Sequence, residues 1–312
     1  MRVLDQKITD EYAIYNGDSC EVIKGFEDNS MGFIIYSPPF DALYTFSNSD
    51  RDMSNSEKGE FMEHFQFLAY ELKRVLKKGR MMAVHCQNIA TTISKDGVTG
   101  LRDFRGELIR LFCETGFIFH SEICINKSAA KIAMRNKTHV LLHGNLVKDA
   151  CSCRQALADF IIVFRKDGDN EEPVSGGFEY YAGADKLSSD AKFDPSKGSL
   201  NAGSRKVWER YADPVWTDID ETKVLNARGS KDTEDEKHIS PLQLQVIERC
   251  IQIWTNENDT VFTPFLGIGS EVYQALKMGR KGVGIELKTS YFNTAKKNCE
   301  LALFERSQKT LF

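Results

Sequence analysis

A serine followed by two prolines and an aromatic residue, Ser37-Pro38-Pro39-Phe40, is the first group in the chain that could do chemistry. The preceding residues, Met31–Tyr36, are apolar apart from one glycine and predict a short buried strand. Consecutive prolines can continue neither a helix nor a central strand, so the chain must turn out of the sheet there. A hydroxyl group, a rigid backbone and an aromatic ring are therefore held at the end of a strand, where open α/β sheets bind their ligands.

A second such group lies near the C-terminus, in the glycine-rich turn Thr263–Ser270. Residues 259–262 predict a strand before this turn, and Glu286 stands at the end of the next predicted strand. Gly267 and Gly269 permit a tight turn and a close approach of the backbone to a ligand. A carboxylate at the tip of the following strand can accept hydrogen bonds from two ribose hydroxyls. The third glycine of the dinucleotide-binding pattern is missing, so the unit predicts a nucleoside site without a pyrophosphate.

Apolar residues repeat at helical or strand spacing through most of the remaining chain. The predicted helices are residues 60–76, 102–114, 241–254, 271–278 and 290–304. The further predicted strands are residues 12–20 (with a turn at their end), 80–85, 117–125, 159–166 and 281–285. Strands that alternate with helices predict a parallel sheet with helices on both faces.

This pattern is interrupted between residues 167 and 237, which are rich in Gly, Ser, Asp, Glu and Lys. The interruption also contains isolated aromatic residues, which a pure linker would not need. We therefore predict one α/β domain built from residues 1–166 and 238–312, with an irregular insertion at residues 167–237.

Composition narrows the class of protein. The chain has 312 residues, of which 41% are hydrophobic and 28% charged, and it contains neither a long apolar run nor a secretory signal, so we expect no membrane partner and a cytoplasmic location. Its eight cysteines are expected to be reduced. The close pair Cys151 and Cys153 lacks the second paired motif of a zinc site, so no metal is predicted.

The net charge of −4 argues against non-specific nucleic-acid binding over the whole surface. Positive charge is concentrated in residues 123–148, which contain no Asp or Glu. The cations of this run predicted to contact DNA phosphates are Lys127, Lys131, Arg135 and Lys137. An ordinary solvated face is the alternative interpretation of the same run.

The two motifs together resemble those of the S-adenosylmethionine (SAM)-dependent DNA methyltransferases that modify N4 of cytosine or N6 of adenine. That family's catalytic signature is Asp, Asn or Ser, then Pro-Pro and an aromatic residue, and the motif order here is similar to its permuted beta arrangement. The resemblance covers residues 12–166 and 238–300. It implies a Rossmann-like methyltransferase sheet, SAM as the cofactor, double-stranded DNA as the substrate and a target-recognition role for the insertion.

The resemblance also implies roles for particular residues. The Ser37 hydroxyl and the Pro38 carbonyl would accept the hydrogens of the target amino group, with Pro39 adding rigidity. Phe40 would stack on a base that has been flipped out of the duplex. The implied cofactor contacts are Asp18, His238, Pro241, Leu242, Thr263, Pro264, Phe265, Gly267, Gly269, Ser270 and Glu286. The family's loop usually begins with Asp, so no charged role is carried over to Thr263.

Several alternatives stay open from the sequence. Serine at position 37 favours N4 of cytosine, and N6 of adenine is the alternative. More remote are a methyltransferase-fold protein without catalysis and a methyltransferase for RNA or for protein amides. No cysteine nucleophile is required, so C5-cytosine chemistry is not indicated. A homodimer, a cognate restriction enzyme and a role outside restriction are equally open. The segment His85–Asn88, at the end of a predicted strand, could line the pocket, but a strand-end loop is the favoured interpretation.

Overall fold

The structure, a computed structural model, describes residues 3–39, 60–135, 140–175, 200–226 and 241–309. Over these residues the chain forms eleven strands, nine of them in one sheet. In chain order the strands are β1 (Val3–Ile8), β2 (Tyr12–Gly17), β3 (Phe33–Tyr36), β4 (Met81–Cys86), β5 (Ile89–Thr91), β6 (Gly100–Arg102), β7 (Ile118–Ile125), β8 (Asp159–Arg165), β9 (Val215–Trp216), β10 (Thr260–Thr263) and β11 (Lys281–Glu286). Strands β5 and β6 form a separate hairpin.

The described residues also form ten helices. In chain order they are α1 (Ser19–Val22), α2 (Glu60–Val75), α3 (Ile93–Asp96), α4 (Phe104–Glu114), α5 (Ala129–Arg135), α6 (Asn145–Lys148), α7 (Leu200–Ala212), α8 (Leu244–Trp254), α9 (Ser270–Lys277) and α10 (Thr289–Lys309), with short 3-10 turns at Ile23–Gly25 and Ala150–Ser152. Among the described residues, none of these helices combines the length and the apolar character that crossing a bilayer requires.

The helices lie on both faces of the sheet because alternate strand residues point in opposite directions. On β3, Ile34 and Tyr36 pack in one apolar cluster with α2 and α4, whereas Phe33 and Ile35 pack in another cluster with α8. A third cluster joins β2 to α9 and α10. The predicted Rossmann-like α/β sheet with helices on both faces is confirmed.

The strand order across the main sheet is β1-β2-β11-β10-β3-β4-β8-β7-β9. Strands β2, β11, β10, β3 and β4 are mutually parallel, whereas β8 runs antiparallel to both β4 and β7. From β3 the chain continues to β4 on one side, and from β10 it continues to β11 on the other side. The neighbours β3 and β10 therefore flank a topological switch point, where doubly wound sheets bind ligands at the carboxyl ends of their strands.

Parts of the fold differ from the sequence prediction. Strand β1 forms the edge of the sheet by pairing antiparallel with β2, although its charged sequence predicted no strand. Within residues 167–237, predicted to be irregular, the described part contains the helix α7 and the strand β9. Strand β9 extends the main sheet beside β7, and Trp216 is buried there. This segment is polar apart from a few aromatic residues. Single residues such as Trp216 anchor it to the sheet, and an analysis of apolar periodicity does not detect them.

Candidate active site

The serine-proline turn begins directly at the carboxyl end of β3. Ser37 is partly buried, while Pro38 and Pro39 are buried. Tyr36, the last residue of β3, packs against Phe265 of the glycine loop, with ring centroids 5.6 Å apart. The predicted base-stacking residue Phe40 lies outside the described residues. The described turn thus holds the Ser37 hydroxyl at the switch point and beside the glycine loop.

A chain of polar side chains leads inward from this hydroxyl. Ser37 Oγ lies 2.8 Å from His85 Nδ1, and His85 Nε2 lies 3.1 Å from Asp159 Oδ2. Lys127 Nζ lies 2.6 Å from the same Asp159 oxygen, and the Gln87 amide donates a 3.0 Å hydrogen bond to Asp159 Oδ1. Four separate segments of the chain thus contribute to one row of polar contacts behind the serine-proline turn.

The strand directions explain why these residues meet. His85 lies near the carboxyl end of β4, and Lys127 follows the carboxyl end of β7. Strand β8 runs the opposite way, so its first residue, Asp159, lies at the same edge of the sheet. Burial by itself would raise the pKa of Asp159, but the hydrogen bond from His85 and the contact with Lys127 outweigh burial and lower it. Asp159 is therefore a buried carboxylate that keeps its charge.

The glycine loop follows β10 and is fixed by backbone contacts. Gly267 and Gly269 both have positive φ, at 53° and 93°, which few other residues adopt. A Cβ built on Gly269 would lie 3.2 Å from the Cβ of Ala295, whereas a Cβ built on Gly267 would meet no atom within 4 Å. The loop therefore packs tightly against α10 on one side and faces open space at Gly267.

The acid at the end of β11 borders this open space. The Glu286 carboxylate accepts hydrogen bonds from the backbone N–H of Gly267 at 2.7 Å and of Lys288 at 2.8 Å. Buried Asn16 supports the same corner, because its side-chain amide donates to the carbonyl oxygens of Glu286 and Leu287. A carboxylate beside an open backbone turn fits the ribose of a nucleoside cofactor.

Two residues beside the loop border the same corner. Asp18 caps the short helix α1 by accepting a 2.9 Å hydrogen bond from the N–H of Cys20, and the Ser19 hydroxyl donates to the carbonyl of Pro264 at 2.5 Å. The end of β2 is thereby tied to the start of the glycine loop. Asp18 lies near enough in the fold to share this corner with Glu286, on the neighbouring strand β11.

The loop's two ends contain buried polar groups of a different kind. Thr263 is fully buried, and its Oγ1 makes no hydrogen bond to any described residue. Glu271, in the first turn of α9 after Ser270, is also buried, and burial raises its pKa to about 8. Its carboxyl group is therefore neutral at neutral pH, in contrast to the carboxylate of Asp159.

With this geometry established, the chain can be compared with known proteins. The sequence profile of the DNA methylase family of N6/N4 type matches residues 31–297. The chain belongs to this DNA methylase family. The match includes both the serine-proline turn and the glycine loop, and it confirms the expectation of a SAM-dependent DNA N-methyltransferase.

Individual relatives of the methylase extend over nearly the whole chain. It is 23% identical over 309 residues to the type II methyltransferase M.MjaI of Methanocaldococcus jannaschii, covering 91% of this chain and 89% of the relative. The PvuII DNA methyltransferase (cytosine-N4-specific) shares the fold with a TM-score of 0.63 and 18% identity, over 98% of this chain and 96% of that one. A DNA modification methylase of Thermus thermophilus, TTHA0409, complexed with SAM, shares it with a TM-score of 0.62 and 18% identity, over 94% and 96%.

The remaining predicted cofactor residues of the methylase lie in different surroundings. Pro241 is partly buried, whereas Leu242 is buried in the apolar cluster between the sheet and α8. Phe265 packs on the rings of Tyr36 and Phe65, so its side chain belongs to the core beneath the loop. His238 lies outside the described residues.

The basic run of the methylase is divided between two environments. Lys127 was predicted to contact DNA, but its side chain is only 13% exposed and contacts Asp159. Lys131, on α5, is 44% exposed and lies 3.9 Å from a carboxylate oxygen of Glu221. Arg135 ends α5, with its side chain not described, and Lys137 lies outside the described residues. Over the described residues, no cluster of His, Cys, Asp and Glu has the arrangement of a metal site.

Sequence reasoning preferred a strand-end loop for His85 and did not consider Asp159, although both lie in the row of contacts behind Ser37. The available signal was weak: His85 stands at a strand end next to two polar residues, Gln87 and Asn88, and Asp159 opens an apolar strand. Only the antiparallel course of β8 places the start of that strand beside the ends of its neighbours.

Proposed function

We propose that this methylase transfers a methyl group from SAM to N4 of cytosine in double-stranded DNA. The observation that carries the choice of base is Ser37, because a serine in this motif accompanies N4-cytosine modification in the family. Ser37 Oγ lies at the switch point of the sheet, within hydrogen-bonding distance of His85. The shared fold with a methyltransferase that is cytosine-N4-specific supports the same choice.

The chain's residues would act mainly by positioning. Bound SAM supplies an electrophilic methyl group on a positively charged sulfur. The lone pair of an exocyclic amino group is delocalised into its ring, so the nitrogen is a poor nucleophile. Acceptors aimed at its hydrogens, here Ser37 Oγ and the carbonyl of Pro38, stabilise the positive charge that develops on the nitrogen. The prolines fix these acceptors in advance, which is a contribution of geometry.

For the cofactor, we infer that Glu286 binds the ribose and that the loop from Pro264 to Ser270 lies against the nucleoside. The open space at Gly267 and the fixed orientation of the Glu286 carboxylate support this assignment. Asp18 would border the adenine, and Pro241 and His238 would close over the methionine part. Because the Thr263 hydroxyl carries no charge, the methionine part must be held by other groups.

For the DNA, we infer that the exposed Lys131, together with Arg135 and Lys137, contacts phosphates, and that residues 167–237 read bases. The target base would be flipped into the site, since an amino group inside a duplex cannot reach Ser37. Phe40 would stack on that base. A homodimer and a cognate restriction enzyme stay predictions.

The test is to incubate the enzyme with SAM and unmethylated genomic DNA, to digest the DNA to nucleosides and to separate them with mass detection. We expect N4-methylcytosine, and far less of it after the same incubation with the Ser37→Ala variant. N6-methyladenine as the product would overturn the choice of base while leaving the methylase assignment intact. RNA and a protein extract serve as alternative substrates, and methylation of either instead of DNA would contradict the proposed substrate.

A further inference from the structure

The buried side chains behind Ser37 are more than a scaffold for the turn. We propose that His85, held by Asp159, receives the proton that leaves the target amino group by way of the Ser37 hydroxyl. This inference rests on the function proposed above and adds a residue to it. His85 acts through Ser37 and does not itself touch the base, so it is a positioning residue for the transfer.

The first step of the argument is the charge of Asp159. Its two oxygens are contacted by three groups: Lys127 at 2.6 Å and His85 at 3.1 Å on Oδ2, and the Gln87 amide at 3.0 Å on Oδ1. Lys127 and Gln87 can only donate through the atoms that face the acid. A carboxyl group surrounded by donors keeps its negative charge and accepts from each of them.

The second step is the position of the proton on the imidazole. Because ionised Asp159 can only accept, the neutral His85 ring carries its hydrogen on Nε2, the nitrogen that faces the carboxylate. The other nitrogen, Nδ1, then presents a lone pair to Ser37 Oγ at 2.8 Å. Ser37 must therefore donate its hydrogen to His85, which leaves the oxygen's lone pairs available to accept from the target amino group.

The third step is the proton balance of the reaction. Methyl transfer forms an N–C bond with the nitrogen lone pair and breaks the S–C bond, whose electron pair stays on sulfur. The amino nitrogen is then positively charged and must lose one proton. That N–H proton passes to Ser37 Oγ while the hydroxyl hydrogen passes to His85 Nδ1, so Ser37 ends as it began. The imidazolium that forms is stabilised by Asp159, as in other serine-histidine-aspartate systems.

Lys127 also influences the His85 ring, because both groups contact Asp159. It shares Oδ2 of Asp159 with His85 and is 13% exposed. Its positive charge fixes the carboxylate, yet it opposes a second positive charge on the neighbouring ring. The imidazolium must release this proton before the same row of side chains can serve another turnover.

The central test measures single-turnover methyl transfer with enzyme in excess over sheared unmethylated DNA and with saturating tritiated SAM. We expect His85→Gln to lower the rate constant about 100-fold, with SAM and DNA dissociation constants within about threefold of wild type. His120→Gln is the matched control, because His120 is exposed on β7 and should transfer at the wild-type rate. Wild-type transfer with an unchanged rate in His85→Gln would overturn the inference, whereas no transfer by wild type would instead contradict the proposed function.

A second variant and a second readout cover the case in which His85→Gln does not fold. Asp159→Asn keeps the shape of the side chain but can turn an amide N–H toward His85, which reverses the tautomer and should lower the rate about 100-fold as well. In the free wild-type protein, nitrogen NMR of labelled histidine should show a protonated Nε2 and an unprotonated Nδ1 for His85. The opposite tautomer, or wild-type rates in Asp159→Asn, would overturn the inference.

Discussion

The proposed cofactor corner, around the glycine loop and Glu286, and the proposed catalytic corner, around Ser37, lie side by side but are built by different means. The cofactor corner is made largely of backbone from one continuous stretch, in which the N–H groups of Gly267 and Lys288 bind the Glu286 carboxylate. The catalytic corner is made of side chains from four segments that meet through His85 and Asp159. We expect the first to control affinity for SAM and the second to control the rate of transfer.

The two corners also differ in the charge of the buried carboxyl group that each contains. Asp159 is surrounded by Lys127, His85 and Gln87, and its pKa is lowered despite burial. Glu271, next to the glycine loop, is buried without a cation in contact among the described residues, and its pKa is raised to about 8. A buried carboxyl group is charged where a cation and hydrogen-bond donors contact it, and it is neutral where no cation does.

The largest expected effect tests the catalytic corner. Ser37→Ala removes the acceptor for the target amino group and should lower the single-turnover rate of methyl transfer by roughly 100- to 1,000-fold. Its SAM affinity, measured by calorimetry, should stay within about twofold, because Ser37 does not belong to the glycine loop. Ser307→Ala, an exposed serine near the end of α10, is the control. A large loss of SAM affinity in Ser37→Ala would break the division between the two corners.

The next effect concerns stability and distinguishes the two buried acids. Between pH 4.5, the ordinary pKa of a glutamate, and about 8, folded Glu271 keeps a proton that the unfolded chain has lost. This group's contribution therefore favours folding at low pH and declines as the pH rises through that window. Glu271→Gln should match wild type near the low end and exceed its free energy of unfolding by roughly 4–5 kcal/mol above pH 8.

Urea unfolding of both proteins at several pH values measures this difference. Glu300→Gln is the control, since the side chain of Glu300 is 61% exposed on α10. A difference between Glu271→Gln and wild type that does not change with pH would mean that Glu271 is ionised in the folded chain. The two acids would then no longer differ in charge.

The two corners also differ in how much of their geometry the sequence predicts. The glycine loop and Glu286 were predictable because they lie within one βαβ unit, where spacing along the chain corresponds to spacing in the fold. Ser37 was predictable because consecutive prolines end a strand. The roles of His85 and Asp159 were not, because they depend on β8 running antiparallel beside β4, and no local pattern encodes strand direction.

The lack of a local pattern also explains the errors in the predicted secondary structure. The helix boundaries were predicted to within a few residues where apolar side chains repeat on one face, as in α2 and α8. The helix α7 is mostly polar and is anchored to the core by few contacts, among them the hydrogen bond from Tyr211 to Gln252 and the packing of Arg249 over the Tyr211 ring. A segment held by such distant partners has no periodic signal of its own.

A moderate effect tests the cofactor corner. Glu286→Ala removes a carboxylate that binds two backbone N–H groups and is expected to bind the ribose. SAM affinity should fall by about 1–3 kcal/mol, which is roughly 5- to 150-fold. At saturating SAM, the single-turnover rate should stay near that of wild type, in contrast to Ser37→Ala. Calorimetry measures the affinity, with Glu300→Ala as the control, and an unchanged affinity would remove Glu286 from the cofactor site.

The smallest expected effect concerns DNA binding by the part of the basic run that is exposed. Lys131 and Lys7 are both 44% exposed, and each lies near one glutamate, at 3.9 Å and 3.7 Å. Lys7 is on β1, at the opposite edge of the sheet from β7, which precedes α5. If Lys131 contacts a phosphate, Lys131→Gln should make the slope of log binding constant against log salt less steep by about 0.9, whereas Lys7→Gln should leave it unchanged. Equal slopes in the two variants would mean that the DNA does not cross α5, and that the basic run serves the catalytic corner alone through Lys127.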